Sequence, residues 1–401
     1  MGGGTNIGDE AFYECESLTS IDIPEGVTSI GENAFYRCKS LAKATIPASV
    51  TSFGDNAFNK CESLESVTFA DGLTSIGDYM FSECTKLASI AIPASVTSIG
   101  NGVFDGCTSL ANVTIPDGVT SIGYSAFSGC TALTNVAIPA SVTNIENHAF
   151  SGCKGLTSIT IPAGVTSIGD NTFNGCTALA SVMIPDSVTS IEGYAFNMCT
   201  SLASVTIPDN VTSIGESAFS RCTGLTNIEI PNGVTEIGNK AFYWCTSLEN
   251  VTIANSVTNI GDEAFNGCTQ LAKINIPVGV TIIGKQMFFN CKNLTEIKIP
   301  DGVTEIKTSA FEGCSKLANI TIPNSVTRLG YHVIKDLDGL KEIKYSGKKA
   351  EWQAIKVENS QGKYMSTETV GNKASNLFYI HKNKFDVVCS DGTLSYGGTN
   401  Q

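Results

Sequence analysis

Cysteine is the residue type with the most reactive side chain in this sequence, and its spacing is regular. The chain holds 15 cysteines, and all but Cys389 recur every 23 residues. These are Cys15, Cys38, Cys61, Cys84, Cys107, Cys130, Cys153, Cys176, Cys199, Cys222, Cys245, Cys268, Cys291 and Cys314. A metal site needs ligands clustered at short spacing, and a lone cysteine in each period supplies no such pair. Equivalent stacked thiols point in parallel, so a disulfide between them would require distortion. We therefore predict buried, reduced thiols that pack as small apolar groups.

The histidines are too few and too widely spaced for catalysis. His148 and His332 share one position of the repeat but are eight periods apart, and His381 lies near the C-terminus. No recognisable spacing for a metal site or a Ser-His-Asp arrangement results. We predict that they are ordinary surface residues, that the chain is not an enzyme and that it needs no cofactor.

Acidic residues form two interrupted rows, one at the repeat position after the prolines and one at the position after the Ile-Gly pair, although Ala70 precedes Asp71 and Phe53-Gly54 precedes Asp55. The members are Asp71, Asp117, Asp186, Asp209 and Asp301 in the first row, and Asp55, Asp78, Asp170 and Asp262 in the second. Carboxylates from adjacent coils converge in a ladder of calcium sites, which is one interpretation. Ala, Asn, Val and Lys interrupt both rows, so we favour solvated turn carboxylates that accept local backbone hydrogen bonds. No metal site is predicted.

The elements that position these residues are short strands and turns. In residues 156–162 apolar residues alternate with polar ones, so Ile159 and Ile161 should face inward and Pro162 should end the strand. Residues 165–169 form a second short extended run, with Val165 and Ile168 inward. Residues 170–176 are too few for a full α-helix, and we predict one 3₁₀-like turn. A phenylalanine stands three residues before each of the 14 regularly spaced cysteines, so stacked coils should form a continuous ladder of apolar residues.

This pattern, Leu-x-x-Ile-x-Ile-Pro-x-x-Val-x-x-Ile-Gly-x-x-Ala-Phe-x-x-Cys, resembles the BspA-like (Treponema-type) leucine-rich repeats. The resemblance covers roughly residues 5–345, and residues 345–356 resemble the segment that ends such arrays in surface proteins of gut Firmicutes. It implies a leucine-rich-repeat solenoid: a right-handed superhelix of about fifteen coils, with a parallel β-sheet on one face, short extended or 3₁₀ segments on the other and little α-helix. It also implies an extracellular or cell-surface location and adhesion to host or bacterial surface proteins, and it brings no catalytic residues.

The period defines the predicted domains. Residues 1–345 form the repeat array, with an incomplete first coil, and residues 346–401 form a capping segment. Within that segment we predict a helix over 348–356 with Trp352 and Ile355 inward, a polar loop over 357–375, and a β-hairpin whose strands at 377–381 and 385–389 are joined by the turn 382–384. The chain carries no export signal, so we expect a processed or truncated form of a longer protein.

The net charge and the hydropathy of the chain argue against two kinds of partner, nucleic acid and the membrane interior. A net charge of −13 without a basic stripe argues against nucleic acid, and no apolar stretch is long enough to span a membrane. Specificity should reside where the outward strand positions depart from Ser and Thr, at Glu229, Lys273, Glu296, Lys298, Glu342 and Lys344.

A second candidate patch is the row Met198, Arg221 and Trp244, near Tyr243 and Phe289, where an arginine stacked on tryptophan would contact protein or sugar. Its alternative is sequence drift at a tolerant surface position. The favoured function is protein binding in adhesion. The alternatives are a passive structural spacer and a glycan-binding module.

Overall fold

The computed structural model of the chain describes residues 5–69, 72–366 and 384–396. It is a parallel β-solenoid of about fifteen coils of 23 residues with very little helix, which confirms the predicted fold class. The residues form two compact units, Met1–Leu202 and Ala203–Gln401, named the first and second units here. The 23-residue period runs through this division unchanged, so the sequence does not mark it.

In the first unit, one side of the coils forms a main sheet face and another forms a second sheet face. The main-face strands are β2 (Ser20–Asp22), β4 (Lys43–Ile46), β6 (Ser66–Phe69), β7 (Ser89–Ala91), β9 (Asn112–Thr114), β12 (Ser158–Thr160) and β14 (Ser181–Met183). The second-face strands are β1 (Thr5–Ile7), β3 (Val27–Ile30), β5 (Ser52–Phe53), β8 (Ser98–Ile99), β10 (Ser121–Ile122), β11 (Asn144–Ile145), β13 (Ser167–Ile168) and β15 (Ser190–Ile191). Strands pair in parallel at a register of one period, as Ser158 does with Ser181.

The second unit continues the same plan. Its main-face strands are β17 (Asn227–Ile230), β19 (Asn250–Ile253), β21 (Lys273–Ile274), β23 (Glu296–Lys298), β25 (Asn319–Ile322), β27 (Glu342–Tyr345), β30 (Phe385–Cys389) and β31 (Gly392–Tyr396). Its second-face strands are β16 (Ser213–Ile214), β18 (Glu236–Ile237), β20 (Asn259–Ile260), β22 (Ile282–Ile283), β24 (Glu305–Ile306), β26 (Arg328–Leu329), β28 (Lys356–Glu358) and β29 (Tyr364–Ser366). The pairs β28–β29 and β30–β31 are antiparallel, and the remaining pairs described are parallel.

Alternation along each strand decides which side chains enter the core. Ile159 and Ile161 are 4% and 3% exposed, whereas Ser158, the residue before Ile159, is exposed to solvent. Val165 and Ile168 on the second face are each 2% exposed. These inward positions are confirmed. Their burial removes apolar surface from water, which stabilises the folded state by about 25 cal/mol per Å² of surface buried.

Phenylalanine and cysteine ladders fill the core behind the strands. The rings of Phe127, Phe150 and Phe173 stack with centroids 5.3 and 5.7 Å apart. The buried thiols of the repeat lie beside the phenylalanine ladder, and Cys153 donates its S–H to the carbonyl oxygen of Phe127 at 3.1 Å. The predicted burial of the thiols is confirmed, with the exception of Cys15, which is half-buried in the first described coil.

The segment between the second face and the cysteine is a run of turns. Asn174 and Cys176 donate backbone N–H groups to carbonyls three residues earlier, the bond type of the predicted 3₁₀ turn. A continuous 3₁₀ helix does not form, because Asn171 and Gly175 have left-handed φ values of 56° and 74°. Alternate N–H groups, such as that of Phe173, instead donate to the next coil. Coils are therefore hydrogen-bonded to their neighbours along the turns as well as the strands.

The C-terminal segment covers the last coil of the second unit. Helix α1 (Lys349–Ala354) buries Trp352, whose Nε1 donates to the hydroxyl of Tyr396 at 3.2 Å, and Ile355 is also buried, as predicted. Strand β30 extends the main sheet by pairing with β27, and β28 pairs with β26 on the second face.

Two expectations for this segment need revision. The predicted polar loop over 357–375 is wrong at residues 357–358 and 364–366, because the open edge of β26 supplies hydrogen-bond partners for β28 and the hairpin continues into β29. Residues 359–363 form the turn between these two strands. The strand at 385–389 is present, but the structure pairs it with residues 392–396, which the sequence pattern did not indicate. The predicted strand at 377–381 lies outside the described residues.

Candidate functional site

The charged candidates from the sequence lie together on the main sheet face of the second unit. Each occupies an outward strand position, because it alternates with a buried isoleucine or valine. Glu342 is half-buried and the others are exposed: Glu229, Lys273, Glu296, Lys298 and Lys344.

A shallow groove runs across this face. It consists of two depressions of about 540 and 380 Å³, which share Asn250 and Thr252 at their common border. The structure brings Glu229, Lys273, Glu296 and Lys298 into its lining. Glu342 and Lys344 are not among the lining residues, since β25 separates them from β23. We name the groove lined by residues 204–298 the sheet groove.

The charges of the sheet groove are partly neutralised by their neighbours. Lys273 Nζ lies 3.2 Å from Glu296 Oε1, with side chains 75% and 59% exposed. A pair this exposed contributes little to stability, so it leaves both groups available to a ligand at small cost. No ion pair involves Glu229 or Lys298 within the part of the chain that the structure describes.

Asparagine is a groove component that the sequence interpretation missed. Asn250 Nδ2 donates to Asn227 Oδ1 at 2.7 Å, one coil away, and Asn275 lies in the adjoining lining. The sequence contained the information needed to predict this contact, since Asn227 and Asn250 are one period apart. Amide side chains both donate and accept hydrogen bonds, so the groove presents mixed polar groups rather than a field of one sign.

The patch around Trp244 lies on the turn side of the second unit. Trp244 is 49% exposed and has a φ of 56°, at a coil position that holds glycine in Gly106, Gly129, Gly152, Gly175, Gly267 and Gly313. A non-glycine residue held there carries strain of about 1–3 kcal/mol. The indole packs against the backbone of the next coil at Gly267. A Cβ atom added to this glycine would lie only 2.8 Å from Trp244 Cδ1.

The predicted stacking of Arg221 on Trp244 is not what the structure shows. The indole leans over Gly267 in the following coil, whereas Arg221 belongs to the preceding coil and donates its backbone N–H to the carbonyl oxygen of Tyr243 at 2.6 Å. The cation over a ring in this patch is Lys240, whose Nζ lies 6.0 Å from the centroid of Tyr243. Met198, the third member of the predicted row, is exposed and lies in the first unit.

The acidic row after Ile-Gly has a structural role in the coil-to-coil contacts. Asp262 Oδ1 accepts the backbone N–H of Lys285 in the next coil at 2.8 Å, and Asn239 Oδ1 accepts that of Asp262 at 2.9 Å. A Cβ at Gly284 would lie 2.8 Å from Asp262 Oδ1, which explains the glycine of the Ile-Gly pair. Among the described residues, no three His, Cys, Asp or Glu side chains are grouped to hold a metal ion.

Removing this acceptor should weaken the second unit. Asp262→Ala leaves the Lys285 N–H without its partner, and we expect the free energy of unfolding to fall by about 1 kcal/mol. Asp262→Asn keeps a side-chain oxygen that can accept this N–H, so its loss of unfolding free energy should be less than half of that of Asp262→Ala. Asp301→Ala, at an exposed carboxylate of the other acidic row, should change stability by less than about 0.5 kcal/mol. Urea unfolding measures all three, and equal losses at both aspartates would refute the assigned role.

Within the described residues, His332 does not form a nucleophile–base pair with the nearby Ser309. His332 Nδ1 lies 3.8 Å from Glu312 Oε2, and Ser309 donates its hydroxyl to that same oxygen at 2.6 Å. Lys335 Nζ contacts the other oxygen of Glu312 at 2.6 Å. The carboxylate is thus the centre of this cluster, which stabilises the turns of two coils. His148 stacks obliquely on Tyr124 at 5.2 Å, and His381 lies outside the described residues.

A parallel solenoid with a 23-residue coil, a phenylalanine–cysteine core and a polar sheet groove is the architecture of a leucine-rich-repeat protein. The family model described as "BspA type Leucine rich repeat region (6 copies)" matches residues 5–134, 121–248 and 235–360. The chain therefore belongs to the BspA-type leucine-rich-repeat family, as its motif indicated. No curated protein sequence matches it.

Solved structures agree with this assignment. A leucine-rich repeat protein from Bacteroides ovatus is 28% identical over 84% of this chain and 89% of its own, with a TM-score of 0.67. A leucine rich cell surface protein from Faecalibacterium prausnitzii is 32% identical over 84% and 90% of the two chains, with a TM-score of 0.52. A leucine-rich repeat protein from Eubacterium ventriosum, at 23% identity over 80% and 82% and a TM-score of 0.50, shows the fold alone. Within the described ranges, no helix has the length and hydrophobicity to cross a bilayer.

Proposed function

We propose that this chain is an extracellular or cell-surface interaction scaffold, not an enzyme, and that it binds a protein ligand in adhesion through the sheet groove. The observation that carries the proposal is the groove itself, whose lining combines amides, hydroxyls and charges of both signs across consecutive coils. Each coil adds one rigid row of side chains, so the surface is preorganised and little ordering is needed on binding. The similarity to a Faecalibacterium cell surface protein supports the location.

The chemistry of the groove favours a polypeptide ligand. Asn227, Asn250 and Asn275 offer donors and acceptors, which suit main-chain amides and polar side chains. The exposed Lys273–Glu296 pair is complementary to a ligand with mixed charge, and partial pairing should make salt dependence moderate.

A spacer role is favoured for the first unit by a specific observation. Its outward main-face residues are mostly small and uniform, as in Ser158, Thr160 and Ser181. Identical rows give a ligand no basis for choosing one coil over another. We therefore assign ligand recognition to the second unit and a spacer role to the first.

The test is surface plasmon resonance of the whole chain on purified extracellular-matrix proteins and bacterial surface extract, at low and high salt. In the triple variant Lys273→Ser, Glu296→Ser and Lys298→Thr, we expect affinity to fall at least tenfold, about 1.4 kcal/mol, because central polar contacts are lost. Its matched control is Asp22→Thr with Lys43→Ser, at equivalent exposed positions of the first unit.

The control should bind like the parent chain. Equal losses in both variants would contradict a groove-specific contact, and no binding by the parent to any immobilised protein would favour the passive spacer. Circular dichroism of each variant verifies that the solenoid is intact, as expected for exposed strand positions.

A further inference from the structure

Trp244 differs from its equivalents in other coils by its side chain and not by its backbone, since Lys60, Met198 and Arg221 have left-handed φ values of 61°, 60° and 58° at the same coil position. Its φ of 56° is the left-handed value that glycine adopts most readily, and glycine holds the equivalent position in the next coil at Gly267. Despite that, the chain places there its largest side chain, 49% exposed. The second tryptophan, Trp352, is buried, so Trp244 alone presents an indole to solvent among the described residues.

The indole is held as a platform. Its pyrrole edge lies over Gly267, where a Cβ would come within 2.8 Å of Cδ1 and 3.0 Å of Cγ and Nε1. One side of the ring system is therefore backed by main chain, and solvent reaches the other. Tyr243 stands beside it, with ring centroids 6.3 Å apart and planes tilted by 44°.

Cationic groups flank this platform in a chain whose net charge is −13. Arg221 is exposed in the preceding coil, and no ion pair holds it within the described parts of the chain. Lys240 Nζ lies 6.0 Å from the Tyr243 ring centroid and 3.7 Å from Glu263 Oε1. An unpaired guanidinium favours a carboxylate, which it can hold with two parallel hydrogen bonds.

We propose that Trp244, Arg221 and Lys240 form a binding site for an acidic glycan, specifically a pyranose ring that carries a carboxylate. The apolar C–H face of the sugar stacks on the open indole, and Arg221 pairs with its carboxylate. A protein partner fits less well here, since the exposed apolar surface is little more than one ring, far below the core of a stable interface. This site is separate from the sheet groove, so either proposal can fail alone.

The test uses the whole chain with defined oligogalacturonates and neutral galactose oligomers of equal length. Binding is followed by isothermal titration calorimetry and by tryptophan emission, which reports directly on exposed Trp244. We expect acidic oligomers to bind at least tenfold more tightly than neutral ones, with an affinity that falls as salt rises. Trp244→Gly should abolish binding, and Arg221→Gly should weaken it at least tenfold and remove most of the salt dependence.

Two further variants separate a binding role from a structural one. Trp244→Gly should melt no lower than the parent, because glycine relieves the left-handed strain. Lys60→Gly makes the same kind of change at the same coil position of the first unit, where φ is 61°, and should leave glycan binding unchanged. Gly267→Ala should reduce binding by displacing the indole while every contacting side chain remains. Equal affinity for neutral oligomers, or full binding by Trp244→Gly, would overturn the proposal.

Discussion

Raising the pH about one unit above 8.5 should unfold the first unit in reducing buffer. Eight of its thiols have pKa values raised chiefly by burial: Cys38, Cys61, Cys84, Cys107, Cys130, Cys153, Cys176 and Cys199. Burial raises the pKa of Cys38 to about 11 and that of Cys176 to about 12. In the unfolded chain each thiol ionises near pH 8.5.

The sign of the effect follows from the raised values. Below about pH 8.5 both states keep the thiols protonated, and the stability is fully present. As the pH rises above that value, only the unfolded chain ionises and gains free energy, so stability is lost toward the folded pKa. One unit higher, each thiol contributes about 1.4 kcal/mol, and eight together contribute about 11 kcal/mol. That is comparable with the whole stability of an ordinary domain, about 5–15 kcal/mol.

Circular dichroism against pH, with thiolate absorbance recorded in parallel, checks this expectation. The control replaces Cys107, Cys130, Cys153 and Cys176 with alanine, which lowers stability at neutral pH through small cavities but removes half of the ionising groups. The pH dependence of its unfolding free energy above pH 8.5 should be about half as steep. An unchanged slope would show that lysine and tyrosine titration, and not the thiols, governs alkaline unfolding.

The sequence was sufficient for the fold because one pattern is repeated many times. The spacing of Phe150 and Cys153 and the alternation around Ile159 together define the core face, the register and the ladders. The Lys273–Glu296 pair also follows from the sequence, since the two residues are one period apart on paired strands. Periodicity therefore predicts contacts between equivalent positions of successive coils.

Backbone dihedral angles and side-chain directions were beyond that reasoning. Two residues with left-handed φ values in a coil prevent a continuous 3₁₀ helix. Lys240 and Trp244 occupy such positions, and because neither is a glycine, the sequence does not reveal their backbone conformation. Their φ values are imposed by the coil, and tertiary hydrogen bonding overrides local preference. The direction of Trp244 was likewise unpredicted, although a glycine one period later, Gly267, marks the space that the indole occupies.

The end of the array escaped prediction for a different reason. Strands β28 and β29 follow no period, and their polar residues read as a loop. They are ordered by the unpaired edge of Arg328–Leu329, a partner supplied by the tertiary structure. Local sequence cannot reveal a strand whose pairing depends on where another strand stops.

Phe150→Ala should lower the free energy of unfolding of the first unit by about 4 kcal/mol. The Phe150 ring is fully buried and stacks on two neighbours, Phe127 and Phe173, so its loss leaves a cavity between coils that the rigid ladder cannot close. Phe12→Ala is the matched control, because Phe12 is half-buried and stacks on Phe35 at 5.0 Å. The control should lose only about 1–2 kcal/mol, in proportion to the apolar area buried.

Urea unfolding followed by native-state hydrogen exchange separates local from global weakening in these two variants. In a solenoid each coil contacts mainly its neighbours, so protection in Phe150→Ala should fall most in the coils of Phe127, Phe150 and Phe173 and least near Phe35. A uniform fall across the first unit would show instead that its coils unfold as one cooperative block. Equal losses for Phe12→Ala and Phe150→Ala would mean that neither the deeper burial of Phe150 nor its stacking on two rings adds stability, and the ladder would then be a consequence of the repeat and not a source of its stability.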